Sequence, residues 1–159
     1  TLDNAHAIED AGANWLTVHA RTKADGYTPP AYWEKIQPIT EALKINVIAN
    51  GEIWNNADAK ACLQQSNCQD IMIGRGAVTT PDLTLCIREN NDNPVLSWQD
   101  LVELQQRFLS GQFKTEIGMI GRYKQWLGMM TKAYPEAQEL WTKVKKEKQL
   151  ELILEYLET

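Results

Sequence analysis

The first part of the chain alternates short apolar runs with segments in which apolar residues recur at helical spacing. The apolar runs are rich in strand formers and cover residues 15–18, 46–49 and 70–73. Helical patterns precede, separate and follow them, at residues 4–11, 32–43, 56–65 and 81–89. Neighbouring parallel strands need a helical crossover, whereas antiparallel strands can be joined by a tight turn. The pattern therefore predicts three successive parallel strands, each followed by a helix.

The pattern changes around residues 90–94, where four turn formers are followed by a proline. No strand candidate follows. Ser97 and Asp100 have the spacing of a capping box, which predicts that a helix begins there. Apolar stripes predict two further helices, at about residues 117–134 and 135–157. The sequence thus predicts an α/β domain over residues 1–92 and a small helical bundle over residues 93–159.

Composition fits a globular protein, with 43% hydrophobic and 23% charged residues. The apolar runs are far shorter than the roughly 20 residues that a membrane-spanning helix needs. Three cysteines, Cys62, Cys68 and Cys86, have no metal-type spacing, so we expect free thiols in a reducing cytoplasm and no metal site. A formal net charge of -5 argues mildly against nucleic acid as a partner. The chain begins without Met, which suggests a piece of a longer protein.

Each predicted strand ends in polar residues or glycine. His19 ends the first strand, Asn50, Gly51 and Glu52 follow the second, and Gly74 with Arg75 follow the third. In α/β barrels the active site lies at this edge, and the last two loops commonly bind phosphate. Glycine lets the backbone approach a phosphate, a helix N-terminus adds free N–H groups, and arginine adds a charged fork. An isolated Asn-Gly is usually only a turn, but three successive strand ends of this kind predict a site for a phosphorylated ligand.

Several motifs resemble the tRNA-dihydrouridine synthase family. They are His19-Ala20-Arg21-Thr22, Asp25-Gly26-Tyr27, Ile48-Ala49-Asn50-Gly51-Glu52-Ile53 and Met72-Ile73-Gly74-Arg75-Gly76-Ala77, in the family's order. The match covers about the first 90 residues, and the segment 122–127 is most similar to the bacterial C-type members. Where this chain has Glu52, family members often have Asp, which keeps the carboxylate.

The resemblance implies the last three βα units of a TIM (β/α)8 barrel that binds FMN, followed by a tRNA-binding helical domain. It implies reduction of a uridine in the tRNA D-loop, at position 16, with NADPH as electron donor. The cofactor contacts that it implies are His19, Asn50, Gly51, Glu52, Gly74 and Arg75. A cysteine that donates the proton belongs to an upstream part of the barrel. We therefore expect no catalytic residue in this chain, and no activity from it alone.

Basic residues of the helical part are the candidates for tRNA contact. Residues 143–148 contain four lysines and one glutamate. Such a run is usually only a solvated helix face, but the family's tRNA-binding domain favours a role in binding. The candidates are Arg122, Lys124, Lys132, Lys143, Lys145 and Lys146. We expect a monomer that does not associate with a membrane.

Two other functions remain open from the residues alone. The same loops could serve a phosphate-binding barrel of the isomerase or lyase kind, which would contain no flavin. Alternatively, the chain could be a non-catalytic module in which only the helical bundle binds RNA.

Overall fold

A computed structural model describes residues 2–111 and 115–158. The α/β part consists of α1 (Leu2–Asp10), β1 (Trp15–His19), a 3-10 turn (Trp33–Lys35), α2 (Gln37–Ala42), β2 (Asn46–Asn50), α3 (Asn56–Ser66), β3 (Asp70–Met72), α4 (Arg75–Thr79) and α5 (Leu83–Arg88). The helical part consists of α6 (Trp98–Leu109), α7 (Glu116–Met130), α8 (Pro135–Val144) and α9 (Leu150–Glu158). The chain divides into two compact units. The first runs to Ala77 and includes Leu83–Asp92, and the second combines Val78–Asp82 with the chain from Asn93 onward.

The strands form a parallel sheet in the order β1-β2-β3, as the alternating pattern predicted. His19 pairs with Asn50, and Asn50 pairs with Met72, so the carboxyl ends of all three strands lie side by side. Directly paired residues of neighbouring strands point to the same side of the sheet. The register therefore places the polar strand ends together at one edge.

One face of the sheet carries the core of the first unit. Val47 and Ala49 of β2 are 2% and 0% exposed, and they belong to an apolar cluster with Ile36, Ile39 and Cys62. Residues that alternate with these along the strands point the other way, and Met72 is 47% exposed. Because the core is on the helix side, the strand-end side chains are free to line a surface cavity.

The helix predicted over residues 32–43 is shorter than expected. The structure has a 3-10 turn at Trp33–Lys35, and α2 begins only at Gln37, with Pro38 in its first turn. A proline inside a continuous helix would remove one hydrogen bond and clash with the carbonyl four residues earlier. In the first turn it does neither, so Pro38 fixes where α2 begins.

The second unit has four helices in its described residues, one more than predicted. The helix expected over residues 135–157 is interrupted, because α8 ends at Val144 and α9 begins at Leu150. Between them, the Glu147 carboxylate accepts hydrogen bonds from the backbone N–H groups of Lys148 and Gln149, at 2.7 and 2.9 Å. The bond from Gln149, the residue just before α9, satisfies an N–H group that a helix start leaves without a helical partner, and so favours a new helix there.

The capping box at Ser97 and Asp100 is present and begins α6, as predicted. Helices α6 to α9 share one apolar core, in which Tyr123, Leu127 and Ile153 are each 0% exposed. The Tyr123 hydroxyl donates to Gln105 Oε1 at 3.0 Å, so the buried polar groups of these two side chains satisfy each other. None of the described helices is both long and apolar enough to cross a membrane.

Candidate functional site

A cavity of about 330 Å³ lies at the carboxyl edge of the sheet. Its size is within the range of about 300–1,000 Å³ that is usual for small-molecule sites. All the side chains and glycines predicted from the strand ends line it: His19, Asn50, Gly51, Glu52, Gly74 and Arg75. Tyr27, Ile53, Trp54, Met72 and Gly76 also line it.

His19 is oriented by a chain of hydrogen bonds that crosses all three strand ends. Asn50 Nδ2 donates to the carbonyl oxygen of Met72 at 2.7 Å. The other amide atom, Oδ1, lies 2.6 Å from His19 Nδ1. Because Oδ1 can only accept, His19 must carry its proton on Nδ1. His19 Nε2 is then the ring nitrogen that can accept a hydrogen bond from a ligand.

Gly51 supports the same ring from the side. Its φ of 127° is disfavoured for residues with a side chain, and an added Cβ would lie 3.2 Å from His19 Cε1. The Gly51 carbonyl oxygen accepts a hydrogen bond from Trp33 Nε1 at 2.7 Å. This position therefore needs glycine for its backbone conformation and for its close approach to His19.

Glu52 joins two arginines. Its Oε1 atom lies 2.8 Å from Arg21 Nη2 and 2.6 Å from Arg75 Nη2. The Arg21 side chain is completely buried, whereas that of Arg75 is 41% exposed. Two cations around one anion leave a net positive charge at this end of the cavity.

The pKa of the Glu52 carboxyl lies below its ordinary value of 4.5. Burial alone would raise this pKa, because it disfavours the charged form. Hydrogen bonds from the Arg21 and Trp54 side chains, together with the charges of Arg21 and Arg75, outweigh burial. Glu52 is therefore ionised at neutral pH and stays bound to both arginines.

Arg75 is also held between two aromatic rings. Its guanidinium carbon lies 4.7 Å from the ring centre of Tyr27 and 5.1 Å from that of Trp54. Cations over aromatic faces are attracted to the electron-rich ring. Tyr27 is itself 75% exposed, so this loop residue covers Arg75 at the surface of the unit.

The two glycines beside Arg75 have different roles. A Cβ on Gly74 would meet no heavy atom within 4 Å, so the backbone here faces open space. A Cβ on Gly76 would lie 2.1 Å from the carbonyl oxygen of Ile53, which no side chain can tolerate. Gly76 is thus required by packing, whereas Gly74 leaves room for a ligand. The helix that starts at Arg75 has only five residues, so the arginine and not the helix supplies most of the positive charge.

The strand-end pattern identified the cavity but missed three of the residues that shape it. Arg21, Tyr27 and Trp54 were not among the predicted contacts, although Arg21 and Tyr27 belong to the quoted motifs. The contacts of Arg21 with Glu52, and of Tyr27 and Trp54 with Arg75, join residues more than 20 positions apart in the chain. Besides the motifs, the position of Arg21 two residues after the end of β1 was a signal for it.

The predicted tRNA contacts are on the second unit, and most of them are exposed. Arg122, Lys132, Lys143, Lys145 and Lys146 all have exposed side chains. The run 143–148 is not one continuous helix face, because α8 ends at Val144 and Lys145, Lys146 and Lys148 lie beyond it. Lys124 is partly buried and has a structural contact. Its Nζ donates to the backbone carbonyl oxygens of Lys145, at 3.3 Å, and Glu147.

Cys62, Cys68 and Cys86 are buried, and none of the three forms a disulfide. Burial raises the pKa of the Cys62 thiol to about 12, so it stays protonated at neutral pH. A protonated, buried thiol is a poor nucleophile. Cys62 is therefore a small buried hydrophobe and not a reactive thiol.

The sequence of this chain is similar to those of known proteins. The family model for dihydrouridine synthase (Dus) matches residues 1–157. The tRNA-dihydrouridine(16) synthase of Shewanella oneidensis is 46% identical over 161 residues, which cover 99% of this chain and 50% of that protein. The protein of the same name from Pseudomonas putida is 42% identical, covering 92% of this chain and 47% of its own length.

The Haemophilus influenzae protein of that name is 40% identical over 89% of this chain and 46% of its own. The chain thus spans about half the length of the curated relatives it matches. The family match covers nearly every residue of the chain. From the three parallel strands, the residues at their ends and this match, we conclude that the chain belongs to the dihydrouridine synthase family.

Proposed function

We propose that a protein carrying this chain is an FMN-dependent reductase that converts uridine in tRNA, at position 16, to 5,6-dihydrouridine with electrons from NADPH. The observation that carries the proposal is the position of Arg75. Its partly exposed guanidinium lines the cavity beside the open backbone of Gly74. Support also comes from relatives that are named for this reaction at this position.

The cavity residues fit the phosphate end of FMN. Arginine has five N–H donors in a fixed fork, and Arg75 uses one nitrogen, Nη2, on Glu52. The remaining donors can bind phosphate, and the net positive charge of the Arg21, Glu52 and Arg75 group favours an anion. Gly74 would allow a phosphate to approach the backbone, since no atom fills the space where a Cβ would stand.

The other end of the cavity fits a planar ring with polar edges. His19 and Asn50 are fixed by their mutual hydrogen bond and by the Met72 carbonyl oxygen. A fixed side chain loses little conformational entropy when it binds a ligand. His19 Nε2 can accept a hydrogen bond from a ring N–H, or donate one if the imidazole is protonated.

When bound, FMN would supply the redox chemistry, in which hydride passes to the uridine ring. The residues of this chain bind and orient that cofactor, and the described residues that line the cavity include no cysteine that could donate the second proton. A uridine inside folded tRNA is stacked, so it must leave the stack to reach a cavity of this kind. Binding of the surrounding tRNA is therefore a separate task.

We assign that task to the second unit. Arg122, Lys145 and Lys146 have exposed side chains that can contact phosphate groups of the RNA backbone. Such contacts hold the nucleic acid in position without reading its sequence. A local basic surface can do this even though the formal net charge of the chain is -5. Lys124 supports this surface by fixing the end of α8, where Lys145 lies.

The proposal is tested by incubating full-length protein with FMN, NADPH and unmodified tRNA, followed by mass spectrometry of tRNA fragments. We expect uridine 16 to gain two hydrogen atoms. Two-hydrogen gain at another uridine would refute the position, and no gain in the presence of bound flavin would refute the reaction. If the purified protein binds phosphorylated ligands but no flavin, the isomerase or lyase alternative replaces the proposal.

A further inference from the structure

Arg21 is a buried arginine with one described ion-pair partner. Its side chain is 0% exposed, and its Nη2 atom lies 2.8 Å from Glu52 Oε1. Its Nε and Nη1 atoms have no hydrogen-bond partner in the part of the chain that the structure describes. Burying a charge is costly unless an opposite charge is close, so the Arg21 side chain depends on Glu52.

Glu52 depends on Arg21 in turn. Its backbone has a φ of 52°, in the left-handed region that is unfavourable for a residue with a side chain. Such a conformation persists where the surrounding contacts determine it. The contacts of the Glu52 carboxylate are Arg21, Arg75 and the Trp54 side chain. Of the two arginines, Arg21 is fully buried and Arg75 is not. Arg21 is therefore the fixed end of the Arg21–Glu52–Arg75 group.

Arg75 is the exposed end of this arrangement. Its side chain is 41% exposed, and a free arginine side chain samples many rotamers. Hydrogen bonding of Nη2 to Glu52 restricts it, and contacts with the Tyr27 and Trp54 rings restrict it further. A guanidinium that is held before a ligand arrives loses less entropy on binding it.

We propose that Arg21 is a positioning residue that orients Arg75 toward the cofactor phosphate through their shared partner Glu52. This inference rests on the proposed function, in which Arg75 binds the phosphate of FMN. Arg21 itself is too deeply buried to touch the ligand. Its removal should therefore weaken binding of the phosphate and leave binding of the flavin ring unchanged.

Comparison of FMN with riboflavin separates these two effects, because riboflavin lacks the phosphate. In full-length apoprotein, Arg21→Met should weaken FMN binding by about tenfold, within the usual range of coupling between contacting residues. Riboflavin binding should change little. Arg88→Met is the matched control, since Arg88 is a 71% exposed arginine with a glutamate partner, Glu89, at 3.6 Å. It should leave the dissociation constants of both flavins unchanged.

A double-mutant cycle tests whether Arg21 acts through Arg75. In the Arg75→Ala background, Arg21→Met should weaken FMN binding no further. Equal losses with and without Arg75, or an equal loss for riboflavin, would show a general structural role and overturn the inference. If the Arg21→Met protein does not fold, Arg21→Lys takes its place in the cycle, with the same outcomes deciding. A wild-type protein that binds riboflavin as tightly as FMN would instead contradict the proposed phosphate site itself.

Discussion

His19 Nδ1 lies 2.6 Å from Asn50 Oδ1, and the Asn50 amide is fixed in this orientation by its second bond, to the Met72 carbonyl oxygen. The pair determines which nitrogen of the imidazole faces a ligand. In the neutral ring the proton must be on Nδ1, whereas free histidine carries it mainly on Nε2.

The first prediction is that Asn50→Ala changes the His19 tautomer. Without the acceptor, the proton should move to Nε2, which removes the acceptor that faces the cavity. Nitrogen chemical shifts of the ring, with His19→Gln used for assignment, measure this in the full-length protein. His6 serves as the internal control, because it is exposed and its ring lies near Glu9 on α1. Unchanged His19 shifts in Asn50→Ala would mean that the hydrogen bond is absent in solution.

The second prediction contrasts the two glycines that flank Arg75. Gly74→Ala should leave the melting temperature nearly unchanged, because the new methyl meets no atom within 4 Å. It should weaken FMN binding, since the methyl occupies the space left for the phosphate. Gly76→Ala should act mainly on stability. It should lower the free energy of unfolding by at least about 1–3 kcal/mol, because the new methyl overpacks the site. Thermal unfolding of the apoproteins and FMN titration measure both, and a stable Gly76→Ala protein would contradict the packing.

The third prediction concerns the basic surface of the second unit. Arg122→Ala and Lys145→Ala should each raise the KM for tRNA and reduce the salt dependence of binding by about one unit of slope per lost contact. NADPH oxidation by the flavin should be unaffected. Lys60→Ala, an exposed lysine of α3 in the first unit, is the control. Binding equal to wild type across a salt titration for both variants would place the RNA elsewhere.

Lys124→Ala should behave differently from these two variants. The Nζ atom of Lys124 bonds the carbonyl oxygens of Lys145 and Glu147, where α8 ends. Its loss should therefore lower the melting temperature as well as weaken tRNA binding. Equal melting temperatures for Lys124→Ala and Lys146→Ala would show that this contact does not stabilise the unit.

The fourth prediction is a loss of stability in acid that depends on Glu52. Its pKa is lowered in the folded state, so its ion pairs stabilise the protein above the ordinary value of 4.5 and are lost as the pH falls through the folded pKa. The difference in unfolding free energy between wild type and Glu52→Gln should be constant from about pH 7 to pH 5 and shrink below 4.5. Urea unfolding at each pH measures this difference. A difference that grows as the pH falls would contradict a lowered pKa of Glu52 in the folded state.

The apolar runs predicted the three strands because a buried parallel strand is apolar along its length, and the helices between them predicted that the strands are parallel. The residues at the strand ends predicted the cavity lining, because parallel strands place their carboxyl ends together at one edge of the sheet. The break between α8 and α9 was not predictable from spacing, because residues 145–149 include good helix formers. It depends on hydrogen bonds that the backbone N–H groups of Lys148 and Gln149 donate to the Glu147 carboxylate, which only the folded chain reveals.

Glu52 shows the same limit within the site. The resemblance implied a cofactor contact, and Glu52 does line the cavity, but its carboxylate is bound to Arg21 and Arg75. These partners lie 31 and 23 residues away in the sequence, and no local pattern joins them. The sequence could place Glu52 at the edge of the sheet, whereas its partners follow from how the loops fold over that edge.

The FMN dissociation constant of Arg75→Ala, measured in the full-length protein beside Arg88→Ala, tests the central claim most directly. A charged hydrogen bond to phosphate contributes about 1.5–3 kcal/mol, which corresponds to roughly 10- to 150-fold weaker binding. The account predicts a loss of this size for Arg75→Ala and none for Arg88→Ala. Wild-type affinity in Arg75→Ala would contradict it, and would show that Arg75 serves only its ion pair with Glu52.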